Sequence, residues 1–145
     1  MQKETSRALD RAACNCLALR QAARHVSQLY DSYLASEGLR TTQFSILAKL
    51  DRLGPLSINE LAKSMVMDRT TLGRAIRPLQ RDRLLTIAAG EDGRTRSLRL
   101  TTTGEARLKA ATAKWLEAQK KFEMTFGAWD AAELRSVLQR VVSIN

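Results

Sequence analysis

The 145-residue sequence has one histidine and two cysteines. That set falls short of the four ligands at paired spacings that a structural zinc site uses. It also leaves no Ser–His–Asp or Cys–His constellation to argue from, so an enzyme is the least supported class and no metal or cofactor is expected. His25 lies within a long helical stretch and reads as a surface or interface residue. The cysteines, Cys14 and Cys16, are two residues apart. On a helix they would point about 200° from each other, poorly placed to bond, and a reducing, cytoplasmic setting is the expectation. No apolar run approaches the ~18 residues of a membrane span. The opening Met1-Gln2-Lys3-Glu4 is not followed by the apolar stretch of a signal peptide. Acid is in deficit, with 15 Asp and Glu against 24 Lys and Arg, a formal net charge of +9.

The basic excess is greatest in residues 41–100, eleven against six, which favours a polyanionic partner. Hydrophobic residues at 44% and charged residues at 27% suit an ordered chain with a core. The most informative stretch is Ser57 to Leu100. Ser57 with Glu60 forms a capping box, so a helix starts there and ends near Ser64. Met65-Val66-Met67 makes a short connection, and Asp68 caps a second helix running to about Arg81. Leu72, Ala75, Ile76 and Leu79 fall on one side of it. The other side carries Thr70, Arg74, Arg77 and Arg81, with Arg69 on the flank. Arginine forks onto guanine or phosphate, and threonine reaches phosphate or a thymine methyl. Pro78 within that helix predicts a bend or loosened turn near 74–78. A strand at Leu84–Ile87, a turn at Asp92-Gly93 and a returning strand at Ser97–Leu100 make a hairpin with a basic tip.

Around this module the periodicity predicts long helices. One runs from about Thr5 to Glu37, with a broader apolar surface than one small domain needs and Gly38 as its stop. A second starts at Thr41 or Thr42 and carries Phe44, Ile46, Leu47 and Leu50 inward. Thr102 with Glu105 opens a third through Phe126, and Asp130 with Glu133 caps a last one. Trp115 and Trp129 read as core or interface anchors. The expected fold is mainly α with a small β-hairpin wing. Residues 1–145 form one domain, 41–100 a winged helix-turn-helix lobe, and 1–38 and 102–145 dimerisation helices.

Four stretches resemble the MarR family of winged-helix regulators. They are Thr41-Thr42-Gln43-Phe44 with Ile46-Leu47, Ile58-Asn59-Glu60-Leu61-Ala62-Lys63, Asp68-Arg69-Thr70-Thr71-Leu72 with Leu79, and Glu91-Asp92-Gly93-Arg94-Thr95-Arg96-Ser97 followed by Leu100-Thr101 and Gly104. The resemblance implies a homodimer on double-stranded DNA at a pseudo-palindromic operator, repressing transcription until a small aromatic or phenolic ligand releases it. DNA contacts would come from Arg69, Thr70, Thr71, Arg74, Arg77 and Arg81, and from Arg94 and Arg96 on the wing, with Asp92 holding Arg94. Cys16-Leu17-Ala18-Leu19 with Arg24 and Tyr30 is similar to the organic-hydroperoxide-sensing branch of the family. There a cysteine is oxidised and tyrosines hydrogen-bond its sulfur. Two further tyrosine positions of that branch hold Arg20 and Thr41 here. The alternatives are therefore a redox-sensing regulator using Cys16 and Tyr30, and a non-specific architectural DNA-binding protein. A winged-helix protein-interaction module is a further rival, one that would not need arginines at 74, 77 and 94.

Overall fold

A computed structural model describes residues 10–90 and 92–145 of the chain. It contains six α-helices, α1 Asn15–Leu34, α2 Thr41–Leu53, α3 Ile58–Met65, α4 Arg69–Arg81, α5 Thr102–Phe126 and α6 Ala128–Val142, and three strands, β1 Leu56–Ser57, β2 Leu85–Ala89 and β3 Arg96–Leu100. The fold is mainly α with a hairpin wing, as the sequence pattern predicts. The sheet has one strand more than expected. β1 pairs antiparallel with β3 through Leu56–Leu98 and Ser57–Ser97, giving the order β1-β3-β2. A two-residue strand leaves no alternation to read. It is held because β3 offers a second edge.

The core lies where α2, α3 and α4 meet the sheet and the first half of α5. Phe44, Ile46, Leu47 and Leu50 of α2 are buried, as are Leu61, Leu72, Ile76, Leu79 and Leu98. Phe44 stacks on Trp115 with ring centroids 5.8 Å apart, which fixes Trp115 as a core anchor. Trp129, by contrast, is 72% exposed. α1 contributes only Leu34 to the buried set.

Several helix starts differ from their sequence signals. The first helix does not run unbroken from the N-terminal residues. Thr5 to Leu9 lie outside the described residues. Asp10 then accepts from the Ala12 amide over a 3-10 turn at Arg11–Ala13, and an extended Cys14 caps α1 through its sulfur, 3.4 Å from the Leu17 amide. α2 begins at Thr41 with Arg40 as its cap. The Arg40 amide donates to Gln43 Oε1, and the Thr41 amide reaches across to Asp31. Thr101, not Thr102, caps α5, and Gly127, not Asp130, precedes α6. α4 passes through Pro78 to Arg81 as one helix. Proline there removes the bond to Arg74 in the last turns, where few bonds depend on it.

The Thr101 displacement has a tertiary cause. Its hydroxyl donates to the Arg83 carbonyl at 2.6 Å and accepts from the Gly104 amide at 2.9 Å, while its amide donates to the Leu84 carbonyl at 3.1 Å. This clasp presses the first turn of α5 onto the segment leaving α4. A Cβ on Gly104 would stand 1.9 Å from the Leu84 oxygen. Gly104→Ala is therefore expected to lose about 3 kcal/mol or more of stability, at or beyond the usual cost of overpacking. Urea denaturation checks this, and a loss under about 0.5 kcal/mol would show that the junction yields.

Candidate nucleic-acid interface

α4 is positioned by its inner face. Leu72, Ile76 and Leu79 are essentially buried, and burying three such side chains contributes roughly 2 kcal/mol each relative to leaving them in water. Asp68 fixes the start, its Oδ1 accepting from the Thr71 amide at 2.7 Å and its Oδ2 from the Thr71 hydroxyl at 3.1 Å. These bonds, led by the backbone one, hold the Asp68 carboxyl below its usual range. With the core face pinned, Arg69, Thr70, Arg74, Arg77 and Arg81 are all exposed. Arg74 and Arg81 lie within about 20° of each other around the axis and about 10 Å apart along it. Arg81 also touches Asp82, Nε to Oδ1 3.3 Å, with its side chain 74% exposed. Thr71, grouped with these residues from its sequence, has its hydroxyl proton engaged by Asp68. Thr70 is the free threonine of the pair.

The short connection expected between α3 and α4 is present, but its conformation is one that the sequence does not announce. Val66 sits in the left-handed region at φ 54° and ψ 48°, and its amide donates back to Ala62 and Lys63. That conformation is costly for a β-branched residue. The tight reversal is completed by the Met67 amide on the Ala62 carbonyl at 2.9 Å.

The wing is built on Asp92. Its Oδ1 accepts from the amides of Arg94 at 3.0 Å and Thr95 at 2.9 Å, and its Oδ2 from the Thr95 hydroxyl at 2.7 Å. Gly93 supplies the positive φ, 71°, that the turn needs. The expected link from Asp92 to Arg94 is thus made through the backbone. Asp92 shapes the loop, and the exposed Arg94 and Arg96 side chains remain available. The fold brings both wing arginines together with Arg69 around one cleft, which also includes Ser57, Ile58, Asn59 and Thr95. Sequence reasoning missed Asn59, because only the fold carries the first turn of α3 to the wing.

The other candidates lie elsewhere. Cys16 is exposed near the start of α1. Tyr30 is 14 residues along the same helix, about 21 Å away, and donates to Gln119 Oε1 on α5. One chain therefore does not bring the two together. Burial foremost, and then the charge of Glu123, raises the Tyr30 hydroxyl above its ordinary range. A second cleft, about 720 Å³, separates the end of α1 from the end of α4. It is lined by Asp31, Arg40, Gln43, Pro78 and Arg81 among others.

Comparison with known proteins bears on what such a surface reads. A family model described as the MarR family matches residues 39–87. An uncharacterised HTH-type transcriptional regulator of Bacillus subtilis, YxaD, is 30% identical over 111 residues, covering 76% of each chain. The crystal structure of the Mycobacterium tuberculosis transcriptional regulator MosR superposes with a TM-score of 0.78 at 32% identity, covering 91% of this chain and 98% of that one. MosR in complex with DNA gives 0.74 at 34%, covering 88% and 98%.

The wing makes a titration prediction. Bonds to its ionised form hold the Asp92 carboxyl below the ordinary 3.8, the Thr95 amide contributing most. Its contribution to wing order is therefore present above pH 3.8 and lost as pH falls through the lowered value. The Arg94 and Thr95 amide resonances should titrate together with a midpoint below 3.8, and a midpoint at or above 3.8 would contradict the bonding.

Proposed function

Because this chain belongs to the MarR family of DNA-binding transcriptional regulators, we propose that it acts in the cytoplasm as a homodimeric, non-enzymatic repressor. It would bind a pseudo-palindromic operator and be released from it by a small molecule. The observation that carries the reading is the pairing of two basic elements on one framework. An α4 whose outward face holds Arg74 and Arg77 stands beside a wing tipped by Arg94 and Arg96. A helix of this size fits the major groove, and the wing arginines suit the adjacent minor groove or its phosphates. Arg74, near the middle of the helix, is assigned to a base edge, and Arg77 and Arg81 to the backbone.

Dimerisation is supported by apolar surface that one chain leaves uncovered. Leu17 and Leu19 on α1, and Leu134, Val137 and Val141 on α6, are 36–48% exposed. An apolar hollow of about 370 Å³ lies between α1, α5 and α6. A second copy covering these faces would set the separation of the two α4 helices, which must be about 34 Å to meet successive major grooves. Within the proposed dimerisation segments, 1–38 and 102–145, the helices α1, α5 and α6 then flank the lobe at 41–100. Release is assigned to the cleft between α1 and α4. Its arginines, Arg40 and Arg81, suit an aromatic carboxylate or phenolate. A ligand seated there would favour a different α4 spacing, and emptying the operator requires a preference of several kcal/mol. No helix among the described residues is long and apolar enough to cross a membrane.

DNA selected from a random pool supplies the operator for the test. Arg74→Ala should then weaken binding by about 1–3 kcal/mol and relax selectivity at one base pair, whereas Arg94→Ala should lower the salt slope by about one. Unchanged affinity in both variants would remove the DNA-reading assignment.

A further inference from the structure

We propose that the cleft between the wing and the first turns of α3 and α4 holds one phosphodiester of the DNA backbone, with Asn59, Arg69 and Arg96 as its ligands. The proposal rests on the DNA-reading assignment above and adds a site to it. The cleft measures about 400 Å³ and draws Asn59 from α3, Arg69 from α4, and Arg94 and Arg96 from the wing. Among the described residues no carboxylate lines it. Three acids near it in sequence are committed elsewhere: Glu60 accepts from the Ser57 amide, Asp68 from Thr71, and Asp92 from Arg94 and Thr95. Among the described residues none of the three arginines forms an ion pair.

Cations held around a common hollow repel one another, and an anion seated between them removes that cost. Guanidinium forks match phosphate oxygens bidentately, and the Asn59 amide adds two N–H donors. A phosphate suits the cleft better than a base edge does, because the donors converge from three separate segments, as around a tetrahedral anion. Gripped from α3 and α4 on one side and from the wing on the other, that phosphate would fix the register between the major-groove helix and the wing. Contacts to the backbone position a protein on the duplex in this way.

The test uses the selected operator. Asn59 is exposed in the first turn of α3, where an acidic side chain favours the helix, so Asn59→Asp places a carboxylate in the cleft without harming the fold. It is expected to lose about tenfold or more in affinity, since hydrogen bonds to charged groups are worth that much, and to lower the salt slope by about one. Its thermal midpoint should not fall. Replacing one phosphate at a time by uncharged methylphosphonate should reveal one position per half-site that weakens the wild type. The same replacement should be silent for Asn59→Asp and much reduced for Arg69→Ala and Arg96→Ala. Arg74→Ala, the control, binds less well yet stays sensitive at the same phosphate. Wild-type affinity in Asn59→Asp, or different sensitive phosphates for Arg69→Ala and Arg96→Ala, overturns the shared site. So does inorganic phosphate that shifts the Asn59 amide resonance while no backbone position is sensitive, because the cleft would then serve a free anion. If Arg74→Ala matches the wild type while Asn59→Asp is impaired, base reading by Arg74 fails and the cleft stands. A wild type that binds no duplex at all defeats both.

Discussion

The contact between the first turn of α5 and the Leu84 carbonyl is the constraint on which the rest depends. Gly104 comes so close to that carbonyl that no side chain fits, and Thr101 ties this first turn to the carbonyls of Arg83 and Leu84. Leu84 follows α4 by three residues and leads directly into β2. One junction therefore fixes the end of the arginine-bearing helix, the root of the wing and the start of the longest helix. A lobe joined to α5 this rigidly cannot shift its recognition surface without α5 following. That coupling is what the proposed dimer needs if its arms are to set the spacing of its two α4 helices.

The polar groups around the site divide into those that shape and those that reach. Asp68 and Asp92 shape. Asp68 accepts one backbone amide and a threonine hydroxyl at the start of α4, Asp92 two amides and a threonine hydroxyl at the wing turn, and their bonding stabilises the ionised form. The arginines reach. Arg69, Arg74, Arg77, Arg94 and Arg96 are exposed and form no ion pair among the described residues. With Asp68 and Asp92 turned to the backbone and these five arginines left outward, the surface carries a positive field suited to a polyanion.

Much of this was legible from the residues. α4 was, because Asp68 and a four-residue apolar stripe agree on where it starts and which side it buries, and its observed limits, Arg69 to Arg81, match. The Ser57–Glu60 capping box placed α3 equally well. What sequence concealed depends on contacts made only in the folded chain. β1 exists because β3 has a free edge. Thr101 displaces Thr102 as a cap because its hydroxyl finds the Arg83 carbonyl. Val66 adopts a left-handed turn with no glycine or asparagine to signal it. In the site, the individual arginines were visible, but their convergence with Asn59 was not. Arg69 lies 10 residues after Asn59 and Arg96 a further 27 on, and only the packing of α3 against α4 and β3 brings them together.

In the proposed mechanism α4 and the wing of each copy read DNA as one rigid unit, twice per operator. Hydroxyl-radical and major-groove methylation protection on one selected duplex measures this most directly. Two major-groove windows about 10 base pairs apart on the same face, each with an adjoining minor-groove protection, are predicted. Uniform protection independent of sequence, or a single window without wing contacts, would rule out paired reading by α4 and the wing.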